Sequence, residues 1–147
     1  MNKKVYIILG KSNSHKSSVM RCLTGSTRNR GNWMLQFTNG AVENVYVAIS
    51  SPQERGTVGI SVEEFLNDLI SRNEEKLFIT LQSISTSNQP TGEAYLQSLL
   101  DAGFDIQTIV CFDVNANTLN IPVNQYNTRN KPSNQTASEV RKLWGIV

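Results

Sequence analysis

The sequence contains no apolar run longer than about six residues, far short of the ~20 that a membrane-spanning helix needs. Its N-terminus also lacks the apolar stretch of a signal peptide, so the expectation is a soluble, cytoplasmic protein. Cysteine is scarce: Cys22 and Cys111 are the only two, each in an apolar stretch, without a Cys-x-x-Cys or Cys/His cluster. That excludes a disulfide scaffold and argues against structural zinc, and it fits a reducing compartment. Acidic residues are missing altogether from residues 1–42, which carry seven Lys or Arg, whereas residues 43–147 carry seven against twelve acids. The net charge of +2 therefore hides a basic first third that should attract anions. That basic third is not interleaved with aromatics before Trp33, and the pI near 8.6 is below that of a dedicated nucleic-acid binder, so nucleic acid is disfavoured as a partner.

What is present reads as alternating strands and helices. With 147 residues there is room for one domain, spanning 1–147. Val5 to Leu9 is a continuous apolar, β-rich run of the kind found in a strand buried on both faces of a parallel sheet. Lys16 to Thr24 then carries Val19, Met20 and Leu23 at helical spacing, with Gly25 placed to cap the C-terminus. Trp33 to Phe37 and Val45 to Ile49 read as strands, with a hairpin through Asn39-Gly40 allowed but not required. Ser61 and Glu64 form a capping box ahead of a helix over 61–72. A strand over 76–82, a helix over 93–102, a strand over 106–112 and a helix over 134–144 complete the pattern. This order predicts an α/β fold: a single-domain three-layer α/β/α sandwich on a mainly parallel five-stranded sheet. The twenty residues Val114 to Ser133, with six asparagines and two prolines, read as a mobile lid or loop at the carboxyl edge of the sheet.

One motif carries chemistry. Gly10-Lys11-Ser12-Asn13-Ser14-His15-Lys16-Ser17 fits G-x-x-x-x-G-K-[ST] except that His15 stands in place of the second glycine. In such a loop the main-chain amides wrap an anion at a helix N-terminus, lysine adds a mobile positive charge, and the hydroxyl helps to hold Mg²⁺. Glycine is favoured at that position because left-handed backbone angles cost a residue with a Cβ on the order of 1 kcal/mol. Histidine is among the less reluctant side chains there, and an imidazolium would add charge facing a phosphate.

The stretch from Val5 to Gly25 resembles the phosphate-binding loop and first helix of P-loop NTPases, in wording most similar to small ribosome-assembly-type GTPases. The likeness covers about a seventh of the chain; no Asp-x-x-Gly switch and no Asn-Lys-x-Asp guanine-reading motif accompany it. The resemblance implies that Lys16 contacts the terminal phosphates. It implies that Ser17 ligates the metal with Ser18 beside it, and that Gly10, Ser12, Asn13, Ser14 and His15 belong to the cradle. It thus implies ATP or another nucleotide with Mg²⁺ as cofactor, and a nucleotide or phosphorylated small molecule as partner.

A hydrolysing enzyme of this kind also needs a carboxylate, normally at the end of a strand next to the first. The Val45 to Ile49 strand ends in Ser50-Ser51 instead. Asp113 ends a Walker-B-like apolar run, although in the last strand of the order. Glu54 and Arg55 loosely resemble the acid-arginine pairs of nucleotide and small-molecule kinases, or form an exposed turn with an incidental ion pair. Arg129 is the candidate lid arginine that would neutralise a transferring phosphoryl group; Lys131, Arg141 and Lys142 follow it, and solvated charges are the plainer reading of all four. Two functions compete. One is a nucleotide-binding P-loop protein acting as a small kinase or NTPase, with Lys16, Asp113 and Arg129 as catalytic candidates. The other is an inactive P-loop-fold module that binds a protein partner.

Overall fold

The computed structural model describes residues 3–12, 14–56, 58–83, 89–112, 123–128 and 130–147. Strand β1 (Lys4–Gly10) lies inside one mixed sheet, paired in parallel with β4 (Lys76–Gln82) on one side and β5 (Asp105–Phe112) on the other. Its continuous apolar sequence is explained by that position. Val5, Ile7 and Leu9 enter one core and Tyr6 and Ile8 the opposite one, so neither face can carry a polar residue cheaply.

Helices cover both faces. On the first, α2 (Val62–Ser71) and α3 (Gly92–Asp101) bury Phe65, Leu69, Tyr95, Leu96 and Leu99 against the sheet. Phe65 and Tyr95 meet edge to face with centroids 5.2 Å apart. On the second, α1 (Lys16–Thr24) and α4 (Ser133–Trp144) bury Val19, Met20, Leu23, Ala137, Val140 and Trp144. Trp144 packs edge-on against Phe78 and at a tilt against Tyr6. The three-layer α/β/α arrangement therefore follows the helical stripes read in the sequence. Ser61 caps α2 by accepting a hydrogen bond from the Glu64 amide, and Gly25 closes α1 at φ 77°.

Among the described residues the sheet has six strands, where five were expected, in the order β2-β3-β4-β1-β5-β6. Strands β2 (Arg30–Gln36) and β3 (Val42–Ala48) form an antiparallel hairpin; β3 and the rest run parallel. The sixth, β6 (Val123–Tyr126), lies within the stretch expected to be a loop or lid, and pairs with β5 at the sheet edge. An edge strand needs main-chain hydrogen bonds on one side only, so it can form from a sequence with few β-favouring residues. Residues 113–122 and Arg129 lie outside the described residues.

This topology singles out one crevice. The helix after β1 packs on one face and the helix after the adjacent β4 packs on the other. Chains leaving neighbouring strands in opposite directions open a cleft at the strands' carboxyl ends, where open α/β sheets receive ligands. Gly10 and Gln82 face each other across that boundary.

Candidate functional site

The cleft, about 280 Å³, is lined by Ser12, Ser14, His15, Lys16, Ser17, Ser18 and Glu54. Six of the seven come from the loop after β1 or the first turn of α1. The bend is tight: a Cβ on Gly10 would stand 2.5 Å from Ser14 Oγ and 3.2 Å from the Phe112 carbonyl oxygen, so any side chain there would have to displace the Ser14 hydroxyl and press on β5. His15 occupies the left-handed region at φ 68°, ψ 18°, as the N-cap of α1. Its side chain is exposed at the cleft and does not fill it. The histidine thus takes the backbone shape for which glycine is usual, at the cost anticipated from sequence.

Lys16 is 5% exposed. Its ammonium donates to the Lys11 carbonyl at 2.7 Å, and the same oxygen also accepts from Ser14 Oγ at 2.7 Å and the Ser14 amide at 3.3 Å. Burial pushes the Lys16 pKa down, partly opposed by the Glu54 carboxylate. Ser17 Oγ donates to the Ile49 carbonyl at 3.3 Å, an oxygen shared with Thr80 Oγ1 at 2.8 Å. The first turn of α1 is thereby moored to the end of β3.

Glu54 reaches the cleft from a single 3-10 turn, Pro52–Glu54, that follows β3. Its Oε1 accepts from Gln82 Nε2 at 2.7 Å and from Ser51 Oγ at 3.0 Å, which fixes the carboxylate's orientation. Behind it, the Gln53 side chain donates to the Gln82 carbonyl at 2.9 Å and accepts from the Gln82 amide at 3.2 Å, clamping the turn onto β4.

Arg55 does something else. It is buried, not part of an exposed turn, and its guanidinium lies 3.5 Å from Asp68 of α2 and 3.5 Å from the Tyr46 hydroxyl. The loosely drawn acid-arginine pair is thus divided, Glu54 at the cleft and Arg55 on the α2 side of the sheet. A second correction concerns the expected strand-end carboxylate. β3 is not next to β1, because β4 intervenes, so the residue at the end of that neighbouring strand is Gln82. β5, which leads into Asp113, does pair directly with β1. Asp113, Arg129 and Asn13 themselves fall outside the described residues.

Of the later basic residues, Lys131 pairs with Glu139 at 3.4 Å on the surface. Arg141 donates to the Leu23 and Cys22 carbonyls, satisfying the last turn of α1. Sequence reasoning missed Thr128, which is buried and whose hydroxyl donates to the Ser14 carbonyl at 3.2 Å. It also missed Gln82 and Gln53; the signal, glutamine ending an otherwise apolar strand, becomes readable only once that strand is known to flank β1.

No protein-family profile matches the chain, and no curated protein is significantly similar to it. Among the described residues there is no group of three or more His, Cys, Asp or Glu able to hold a metal ion unaided. No described helix is long and apolar enough to cross a membrane.

Proposed function

We propose that the chain is a P-loop protein whose cleft takes the phosphate groups of a nucleotide, ATP in the first instance, with Mg²⁺. The observation that carries the reading is Lys16. It is a buried cation at a helix N-terminus, in a cleft, and among the described residues its hydrogen bonding rests on one main-chain oxygen with two further donors upon it. A carbonyl has two lone pairs, so three donors crowd it, and an incoming phosphate oxygen would give Lys16 a charged acceptor in its place. The helix N-terminus favours the same anion. Ser17, which lines the same cleft, would supply the metal's hydroxyl ligand, and the metal would neutralise phosphate charge.

Turnover as a small kinase or NTPase is the finer form of this proposal, with Asp113 and Arg129 as its remaining catalytic candidates. Gln82 favours the second reading, a binding module without turnover that works through a protein partner, because an amide at the end of the strand beside β1 cannot act as a base.

Thermal unfolding with ATP, GTP and sodium tripolyphosphate, with and without Mg²⁺, tests the proposal. A ligand present at about 100 times its Kd adds ~2.7 kcal/mol of stability, a rise of several degrees in Tm. Lys16→Ala is expected to remove that rise while the unliganded protein still unfolds cooperatively. No rise with any of the three at millimolar concentration overturns the reading. Phosphate release then separates enzyme from module.

A further inference from the structure

We infer that Glu54, held in place by Gln82, is the carboxylate that receives the divalent cation accompanying the phosphate chain; this rests on the phosphate reading above. Glu54 lines the cleft that Lys16 and Ser17 line, although it comes from a different segment, the turn after β3. One of its oxygens is occupied by Gln82 Nε2 and Ser51 Oγ. No described residue donates a hydrogen bond to the other. The carboxylate is therefore aimed by its neighbours and left with a free oxygen at the cleft.

A second acceptor stands next to this carboxylate. Gln82 is 1% exposed, and with its amide nitrogen committed to Glu54, its Oε1 has no hydrogen-bond partner among the described residues. A surplus buried acceptor next to a carboxylate asks for a cation or for the donors of its hydration shell. Magnesium needs no all-protein cage: one or two carboxylates, retained waters and substrate phosphates suffice. Glu54 with the Ser17 hydroxyl fits that donor set, which explains how a metal could be held without a cluster of acids. In this arrangement Gln82 is a positioning residue, taking the strand-end place and presenting the acid of another segment.

The test measures metal binding separately from phosphate binding. Tripolyphosphate and ATP are titrated calorimetrically into the full chain in EDTA and then with Mn²⁺, whose bound fraction is read by electron spin resonance. The proteins compared are wild type, Glu54→Gln, Gln82→Met and Asp113→Asn. Glu54→Gln, whose amide can still accept from Gln82 and Ser51, should leave metal-free tripolyphosphate affinity equal or tighter while weakening Mn²⁺ at least about tenfold. Gln82→Met should weaken Mn²⁺ by about tenfold, again without loss of metal-free affinity, a split that a merely structural role would not produce. If Glu54→Gln keeps the metal enhancement, or Asp113→Asn alone abolishes it, the inference is overturned and the phosphate reading stands. If phosphate binds but Mn²⁺ adds nothing in the wild type, the result is the same. If neither probe binds in any condition, the phosphate reading falls and takes this inference with it.

Discussion

Lys16 and Arg55 are both buried cations, yet they sit on opposite sides of the sheet and in opposite electrostatic circumstances. Arg55 has Asp68 and the Tyr46 hydroxyl about it, with the Arg72 guanidinium lying 4.2 Å over the Tyr46 ring. Lys16 has one main-chain oxygen, and the Glu54 carboxylate acts on it from across the cleft without forming a salt bridge. Both have their pKa lowered by burial. The difference is that Arg55 has a carboxylate within ion-pair distance, one it shares with Arg72, while Lys16 has none so close and stands beside open space. A charge of the first kind belongs to the packing of the fold; a charge of the second kind is a cost that a ligand can repay.

The contrast breaks most visibly in stability. Arg55→Ala removes a buried side chain and leaves a void, and should cost about 2 kcal/mol in urea unfolding, chiefly through lost packing, since Asp68 keeps Arg72 at 3.1 Å. Lys16→Ala should change stability by less than about 1 kcal/mol, because it removes a desolvated charge along with its hydrogen bond. Equal losses for the two variants would end the distinction.

A smaller effect appears with pH. Since burial disfavours charged Lys16, its folded pKa lies below the usual 10.5, and the unfolded chain binds more protons between the folded value and 10.5. Wild type should therefore gain stability relative to Lys16→Met as pH rises through that window, with the penalty complete below it. Cys111, whose pKa is pushed up to about 11 by burial, acts the other way. Its contribution is present below pH 9 and lost as pH climbs through 11, but it is common to both proteins and cancels in the difference. A flat or falling difference in denaturation midpoints between pH 8 and 10.5 would show that Lys16 is not penalised by burial. Smaller again, His15→Gly should raise stability by up to about 1 kcal/mol, by relieving a left-handed residue that bears a Cβ; a loss in thermal unfolding would mean the imidazole makes a stabilising contact.

The elements were legible in the sequence wherever burial was symmetrical or periodic. Val5 to Leu9 announced a two-faced strand, and the stripe through Phe65 and Leu69 announced a helix. The residues of the bend after β1 were legible because adjacent positions in sequence make the whole of it. What was hidden depends on strand order, which periodicity does not encode. Nothing local tells that β4 slips between β3 and β1, and so nothing told that Gln82 would stand beside Gly10. Glu54 and Arg55 are neighbours whose side chains part to different faces, a matter of the turn's backbone and not of residue type. β6 escaped notice because asparagine-rich composition conceals a strand that relies on one partner's main chain.

Thr128 and Arg141 join the loop and helix that begin the fold to residues 114 and 118 positions later. In synthesis the bend after β1 emerges 114 residues ahead of the hydroxyl that holds the Ser14 carbonyl, and the end of α1 emerges 118 residues ahead of the guanidinium that closes it. The loop that lines the cleft is therefore not completed as a local event: it is finished when Thr128 and Arg141 fold back on the first loop and helix, so a chain cut short before residue 128 would lack both contacts.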